Sequence, residues 1–303
     1  MNKLTKAGFA GLFLSLTAVL ASCGGSSTST TDTAAVTADV YPVTVGDLTL
    51  EAQPVSIISL SPTATEMLYA IGAGSQVVAV DEYSNFPAEA VALGTTLSGF
   101  EPNIEAISGY SPDLVIISYD PGSLVEQLGT LNIPVFVAGA AMSLENVYEQ
   151  IEQLGVLTGH SQAAIEVSKT LQAGIEDAVA SVKFSEPPLS YYYELDNTYY
   201  SVTSNTFVGQ IFNLFGMRNI ADNVESGNDY PQLSAEVIVS SDPDFIFLAD
   251  TKCCAQDATT VAARDGWGGL KARRSTSCLT SCLTSHSTSC LTGHFASRLI
   301  GAV

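Results

Sequence analysis

Apolar-rich windows of six or seven residues recur along this chain at 55–60, 76–81, 113–119, 133–138, 189–195 and 244–249. Windows of that length, bounded by Gly, Pro, Ser and Asp, read as buried strands. Between them lie stretches whose apolar residues fall three or four apart. One runs from Ser61-Pro62 to about Ile71, just before Gly72, and others cover 123–131, 206–215 ahead of Gly216, and 257–263. Ser-Pro at the start and Gly just past the end are helix boundaries. Strands that alternate with helices predict parallel, doubly wound sheets, which bind ligands at the carboxyl ends of their strands.

The longest periodic stretch spans 161–183. Val167, Leu171, Ile175, Ala178 and Val182 share one helical face there. Ser161 is the expected N-cap, and Pro187-Pro188 ends any continuation. At 1.5 Å per residue the helix is about 35 Å long. It reads as a rigid rod joining an N-terminal lobe, 54–158, to a C-terminal lobe, 188–272. The fold class is therefore α/β: two doubly wound lobes joined by one long helix, with a cleft between them.

An internal echo supports two lobes. Glu105 stands seven residues before Pro112-Asp113 and the apolar run Leu-Val-Ile-Ile; Glu236 stands seven before Pro243-Asp244 and Phe-Ile-Phe-Leu. Each unit is a short helix, a Pro-Asp turn and a buried strand, with an aromatic residue upstream, Phe100 or Tyr230.

Composition changes this picture in two places. The net charge is −20, and no Lys or Arg occurs between Lys6 and Lys169. Such an acidic chain argues against nucleic acid and anionic lipid as partners. It also leaves the first lobe without a lysine or arginine to grip an anionic ligand. The first 23 residues read as a signal peptide: Lys3 and Lys6, an apolar stretch from Gly8 to Leu20 too short to span a membrane, then Leu20-Ala21-Ser22-Cys23. That motif looks like a bacterial lipobox, with Cys23 lipidated and anchoring the protein to the outer side of the cell membrane. Residues 24–50, rich in Ser and Thr, are read as a flexible tether.

Seven of the twelve tyrosines are Tyr83 or fall between Tyr191 and Tyr230. Tyrosines in loops near strand ends suit a flat, partly polar organic ligand; a Tyr-rich strand face packed in a core is the other reading. Cys253-Cys254 follows a strand end, and in an exported protein the two are free to bridge each other or pair elsewhere. Enzyme motifs are absent: there is no G-x-S-x-G, no P-loop, and no G-x-G-x-x-G after a strand. His is too sparse for acid–base work.

The ordered stretches I-S-L-S-P-T-A-T-E-M-L (58–68), Y-S-N-F-P (83–87), N-I-E-A-I (103–107), P-D-L-V-I (112–116) and Y-P-Q-L-S-A-E-V-I (230–238) resemble the substrate-binding proteins of ABC importers for cobalamin and iron complexes. The resemblance runs from about residue 54 to Ala272. It implies that Tyr83, Phe100, Tyr200 and Tyr230 line the ligand cleft. It implies that Glu105 and Glu236 dock onto arginines of a permease dimer served by its ATPase. It implies no catalytic residue, no metal site and no resident cofactor, the cargo itself carrying cobalt or iron. At Phe100 and Tyr230 the family's cobalamin-binding members carry larger indole rings.

Charge orders the cargoes. Anionic iron complexes need arginine or lysine, and the second lobe offers at most Arg218, Lys252 and Arg264. Cobalamin, nearly neutral and rimmed by amides, ranks first, a ferric hydroxamate second and haem third. A surface receptor or adhesion module, or a hydrolase without transport, is the alternative of another class. Residues 273–303 do not continue the family pattern. They repeat Thr-Ser-Cys-Leu with a period of four and read as a frameshifted segment. Cys278, Cys282, His286, Cys290 and His294 share that spacing, but Ser and Thr are poor helix formers and the repeat alone generates it.

Overall fold

A computed structural model describes residues 39–95, 97–270 and 272. Cys23, the signal peptide and the period-four tail lie outside the described residues.

The chain enters through a hairpin, β1 (Val43–Val45) and β2 (Leu48–Leu50), turning on Gly46 at φ +55°. Over the described residues 39–50 this replaces part of the tether expected over 24–50. Val43, Val45 and Leu48 alternate with polar residues and pack on the first core, so the segment has a buried face to hold it.

The first sheet takes in β3 (Ile57–Leu60), then α1 (Pro62–Ala70), β4 (Val77–Val80), α2 (Ala88–Val91), α3 (Ile104–Gly109), β5 (Leu114–Ile117), α4 (Leu124–Thr130), β6 (Val135–Val137) and α5 (Leu144–Thr158). Its order is β4-β3-β5-β6, all parallel. Every residue of β3 and β5 is buried because helices cover both faces. The two-residue period sorts the side chains. Ile57, Leu114 and Ile116 pack with Leu68, Ile71, Leu154 and Leu157; Ile58, Leu60, Val115 and Ile117 pack with Ile107, Leu124 and Leu128.

Helix α6 (Ser161–Ala180) follows, 20 residues and about 30 Å long. It starts at Ser161, but its cap and its end correct the sequence reading of 161–183. The N-cap is His160, which makes no side-chain cap bond; the Ser161 amide donates instead to Asp39 Oδ2 at 3.0 Å. The helix also stops at Ala180. Val167 and Leu171 lie on the first core, while Ile175, Val179 and Val182 line a shallow apolar groove with Phe184 and Leu214. Helix α6 crosses α5 closely: a β-carbon on Gly155 would collide with that of Ala164.

The second sheet holds β7 (Ser190–Glu194), α7 (Phe207–Leu214), β8 (Arg218–Asn219), α8 (Ala235–Ser241), β9 (Phe245–Leu248), α9 (Thr251–Cys254) and α10 (Ala258–Ala262). Its order is β8-β7-β9, again parallel. Tyr192, Ile246 and Leu248 face Ile238, Val261 and Trp267; Tyr191, Tyr193, Phe245 and Phe247 face Phe212 and Met217. Three of the tyrosines in the Tyr191–Tyr230 cluster are thus core residues.

The sequence echo is a structural one. Asn103 and Ser234 cap α3 and α8 by accepting from the amides of Ala106 and Val237. Ile107 and Ile238 are each helix's buried anchor. The residues before the two prolines, Ser111 and Asp242, both take positive φ, 51° and 41°. Asp113 Oδ2 then accepts from the amides of Val55 and Ser56, at 2.9 and 3.0 Å, beside the start of β3. Asp244 Oδ2 accepts from the Ser190 amide and hydroxyl, both at 2.9 Å, at the start of β7. Each Pro-Asp turn therefore sets the register of one strand against its parallel neighbour.

Candidate ligand site

The first sheet presents three exposed rings at its carboxyl edge. Tyr83 lies in the turn after β4, Phe100 in the loop after Leu97, and Tyr119 two residues past β5. Tyr83 and Phe100 meet edge to face with centroids 5.6 Å apart, and Phe100 and Tyr119 are 6.1 Å apart. Their exposures are 55%, 62% and 43%. Adjoining exposed aromatics at a strand edge mark a binding surface more than a core. Tyr119 was missed because the sequence window took it as the last residue of a strand; an aromatic just beyond a fully apolar run was the available signal.

The backbone brings these loops together. Asp81 bridges Leu97, and the Glu82 amide donates to Leu97 O at 3.0 Å. The Phe100 loop crosses the end of β3 at Gly99, where a β-carbon would sit 2.9 Å from Leu60 O and 3.0 Å from Asp81 Oδ2. Beneath them runs a buried chain of oxygens. Ser84 Oγ is 2.6 Å from Asp81 Oδ1 and 2.9 Å from Thr65 Oγ1; Thr65 donates to Ser59 Oγ at 2.8 Å, and Ser59 to Ser61 O at 3.2 Å. Burial raises the Asp81 carboxyl above its ordinary 3.8, against the hydrogen bonds from Ser84. Ser84 donates to Asp81 Oδ1, so the carboxyl closes the chain as an acceptor.

In the second sheet Tyr200 and Tyr230 are 41% and 54% exposed. They sit on one small ladder: Tyr200 pairs with Gln232 in an antiparallel bridge, the Ser201 amide donates to Pro231 O at 3.0 Å, and the Leu233 amide to Tyr199 O at 3.0 Å. All four predicted cleft aromatics are therefore at strand ends and open to solvent, two on each sheet.

Neither candidate arginine is a free cation at that edge. Arg264 is bound to Glu194 by two hydrogen bonds of 2.6 and 2.7 Å, and Glu194 is fully buried. The hydrogen bonds to Glu194 raise the Arg264 guanidinium further and keep it charged. Burial raises the Glu194 carboxyl while Arg264 pulls it back down. Arg264 is thus a structural partner and not a free grip for an anion. Arg218 is exposed on β8. Cys253 and Cys254 form a vicinal disulfide in α9, which resolves the pairing left open by the sequence. Among the described residues no group of three or more His, Cys, Asp or Glu side chains is arranged to hold a metal ion.

Glu105 and Glu236 are exposed in the first turns of α3 and α8. They occupy equivalent positions in the two echoed units. No helix among the described residues is long and apolar enough to cross a membrane.

Three comparisons bear on this site. A family model described as periplasmic binding protein matches residues 57–278. A cobalamin-binding protein of Halobacterium salinarum is 34% identical over 234 residues, 73% of this chain; the match spans 62% of that relative's own length. An uncharacterized ABC transporter substrate-binding lipoprotein of Bacillus subtilis is 28% identical over 280 residues, covering 88% of this chain and 87% of its own. Among solved structures, the periplasmic vitamin B12 binding protein of Vibrio cholerae superposes with a TM-score of 0.54 at 28% identity, covering 64% of this chain and 76% of its own.

Proposed function

The chain belongs to the periplasmic binding protein family, a family of binding proteins and not of enzymes, and on that footing we propose that it captures cobalamin or a related corrinoid outside the cytoplasm and hands it to an ABC permease. One observation carries the choice of cargo. Exposed aromatic rings stand at the carboxyl edges of both parallel sheets, and Arg264, the cation that lies over Tyr199 beside the second set, is engaged by Glu194. Rings bind a large macrocycle through apolar area and ring faces, and amide-rimmed cargo asks for hydrogen bonds instead of charge. The names of the Halobacterium and Vibrio relatives support the same cargo.

Tyr83, Phe100, Tyr200 and Tyr230 are the proposed contacts, with Tyr119 added to the first set. Glu105 and Glu236 are the proposed docking carboxylates, one on each echoed unit, suited to a two-fold permease. Cys23 is the proposed lipidation site, supported by its lipobox and by the lipoprotein named among the relatives.

Equilibrium dialysis against cyanocobalamin, with a ferric hydroxamate and haem as competitors, tests the cargo. The expected result is saturable corrinoid binding that neither competitor displaces at equal concentration. Displacement by the hydroxamate or by haem at that concentration would move the assignment to iron complexes.

A further inference from the structure

We infer that Arg264 is the positioning residue of the second aromatic set, fixing the turn that carries Tyr200 and, through it, the Tyr230–Gln232 segment. The inference rests on the binding role proposed above for Tyr200 and Tyr230, and its argument is geometric.

The turn from Leu195 to Tyr200 is closed by the Leu195 amide donating to Tyr200 O at 2.9 Å and the Tyr199 amide to Asp196 O at 3.1 Å. Its last corner is Tyr199 at φ +72°, a left-handed conformation held by a residue with a bulky side chain. Such a residue keeps that conformation only where its surroundings hold it. Here they do. The Tyr199 ring stacks on Trp267 with centroids 5.7 Å apart and planes 25° apart. The Arg264 guanidinium carbon is 5.4 Å from the Tyr199 centroid and 4.8 Å from that of Trp267. The same guanidinium makes its two bonds to Glu194, the last residue of β7, and a third to Gln256 Oε1 at 2.9 Å.

Arg264 therefore joins the end of β7, the Tyr199 corner and the Trp267 turn in one cluster. Two properties of arginine are used at once, the planar fork that matches a carboxylate and the flat face that lies on rings. Lysine has neither. Because the Leu233 amide donates to Tyr199 O and the Ser201 amide to Pro231 O, fixing Tyr199 also fixes the strand that follows Tyr230. A turn ordered before the ligand arrives spares the ordering cost on binding.

The test compares Arg264→Lys, Tyr199→Phe and Tyr199→Gly with the parent protein. One readout needs no ligand: amide hydrogen exchange at Leu195, Ser201 and Leu233, with Val115 in the first sheet as internal reference. The second is the Kd for cyanocobalamin, read from quenching of Trp267, the only tryptophan in the chain. Arg264→Lys is expected to speed exchange at the three amides by about tenfold, leave Val115 unchanged, shift Trp267 emission and raise Kd by about tenfold. Tyr199→Phe, which keeps the stack, is expected to change neither readout.

If Arg264→Lys speeds exchange at Val115 as well, the fold itself is failing and Tyr199→Gly decides. Glycine accepts the left-handed corner but lacks the ring, so faster exchange at Leu233 alone supports the role. Unchanged exchange in the variants overturns the inference, as does loosened exchange with an unchanged Kd. If the parent protein itself does not bind cyanocobalamin, the cargo assignment fails, and the exchange experiment still decides whether Arg264 orders the turn.

Discussion

In the first sheet the loop that carries exposed aromatics rests on Asp81, Ser84, Thr65 and Ser59; in the second it rests on Glu194 and Arg264. Both devices solve one problem. A parallel sheet covered on both faces buries the carboxyl end of its strands, and a carboxylate placed there must be neutralised. The first lobe contains no Lys or Arg, so it uses a hydroxyl donor, Ser84. The second has an arginine and forms an ion pair. Two units that share the order of their first three strands, a side-chain cap at the same helix position and the same Pro-Asp staple thus differ in how a buried charge is satisfied. The lesson is that the plan of an αβ unit and the chemistry of its strand ends vary independently.

The contrast breaks most sharply at the ion pair. Arg264→Leu leaves Glu194 buried without its partner and should cost about 3–5 kcal/mol in urea unfolding. Arg264→Leu combined with Glu194→Leu should recover most of that loss, because no charge is then left stranded. Asp81→Asn, in the first lobe, should be neutral or stabilising by up to about 1 kcal/mol at pH 7, since the amide oxygen still accepts from Ser84 and no buried charge remains.

The Pro-Asp staples come next. Asp113→Ala and Asp244→Ala each remove two hydrogen bonds to a strand start, at about 1–3 kcal/mol each. The larger loss is expected at Asp244, whose bonds are half-buried while those of Asp113 are exposed. Equal losses would show that the two staples are interchangeable despite their surroundings.

What was legible in the sequence follows the range of the interactions. The strands were legible because runs such as Leu-Val-Ile-Ile are buried on both faces. The echo was legible because Glu, Pro and Asp keep their spacing. The β1–β2 hairpin carried a readable signal in Val-Thr-Val-Gly-Asp-Leu-Thr-Leu, but it was absorbed into a Ser/Thr-rich neighbourhood. The four cleft aromatics came from resemblance; their exposure came from the structure. The cap of α6 by Asp39 and the pairing of Arg264 with Glu194 span 122 and 70 residues. No local pattern encodes contacts of that range, so a cation that looked available for a ligand was already held.

Burial raises the strand-end carboxyls of both lobes, Asp81 and Glu194, and only Glu194 has an arginine to oppose it. The Asp81 carboxyl is raised above 3.8 by burial, so between 3.8 and its higher folded value the native state holds a proton that the unfolded chain has released. Stability contributed by that proton is present at low pH and falls as pH rises through this window. Asp81→Asn should flatten the fall. Urea unfolding from pH 4 to 8 on the parent and the variant measures it, and parallel curves would show that Asp81 ionises alike in the folded and unfolded chain.

The smallest effect on the folded protein is expected where the two lobes are most alike. Glu105 and Glu236 are both exposed, both in the first turn of a short helix, and neither makes an ion pair among the described residues. Replacing either by Gln should change stability by less than about 0.5 kcal/mol and leave cyanocobalamin binding unchanged. Under the proposed docking role the double variant loses delivery to the permease while still loading ligand. The single variants carry the comparison further. If a two-fold permease meets one carboxylate from each lobe, Glu105→Gln and Glu236→Gln should reduce uptake by similar factors, although one helix belongs to a four-stranded lobe and the other to a three-stranded one. Uptake that depends on Glu105 alone, or on Glu236 alone, would mean that the echo is a feature of folding and not of docking.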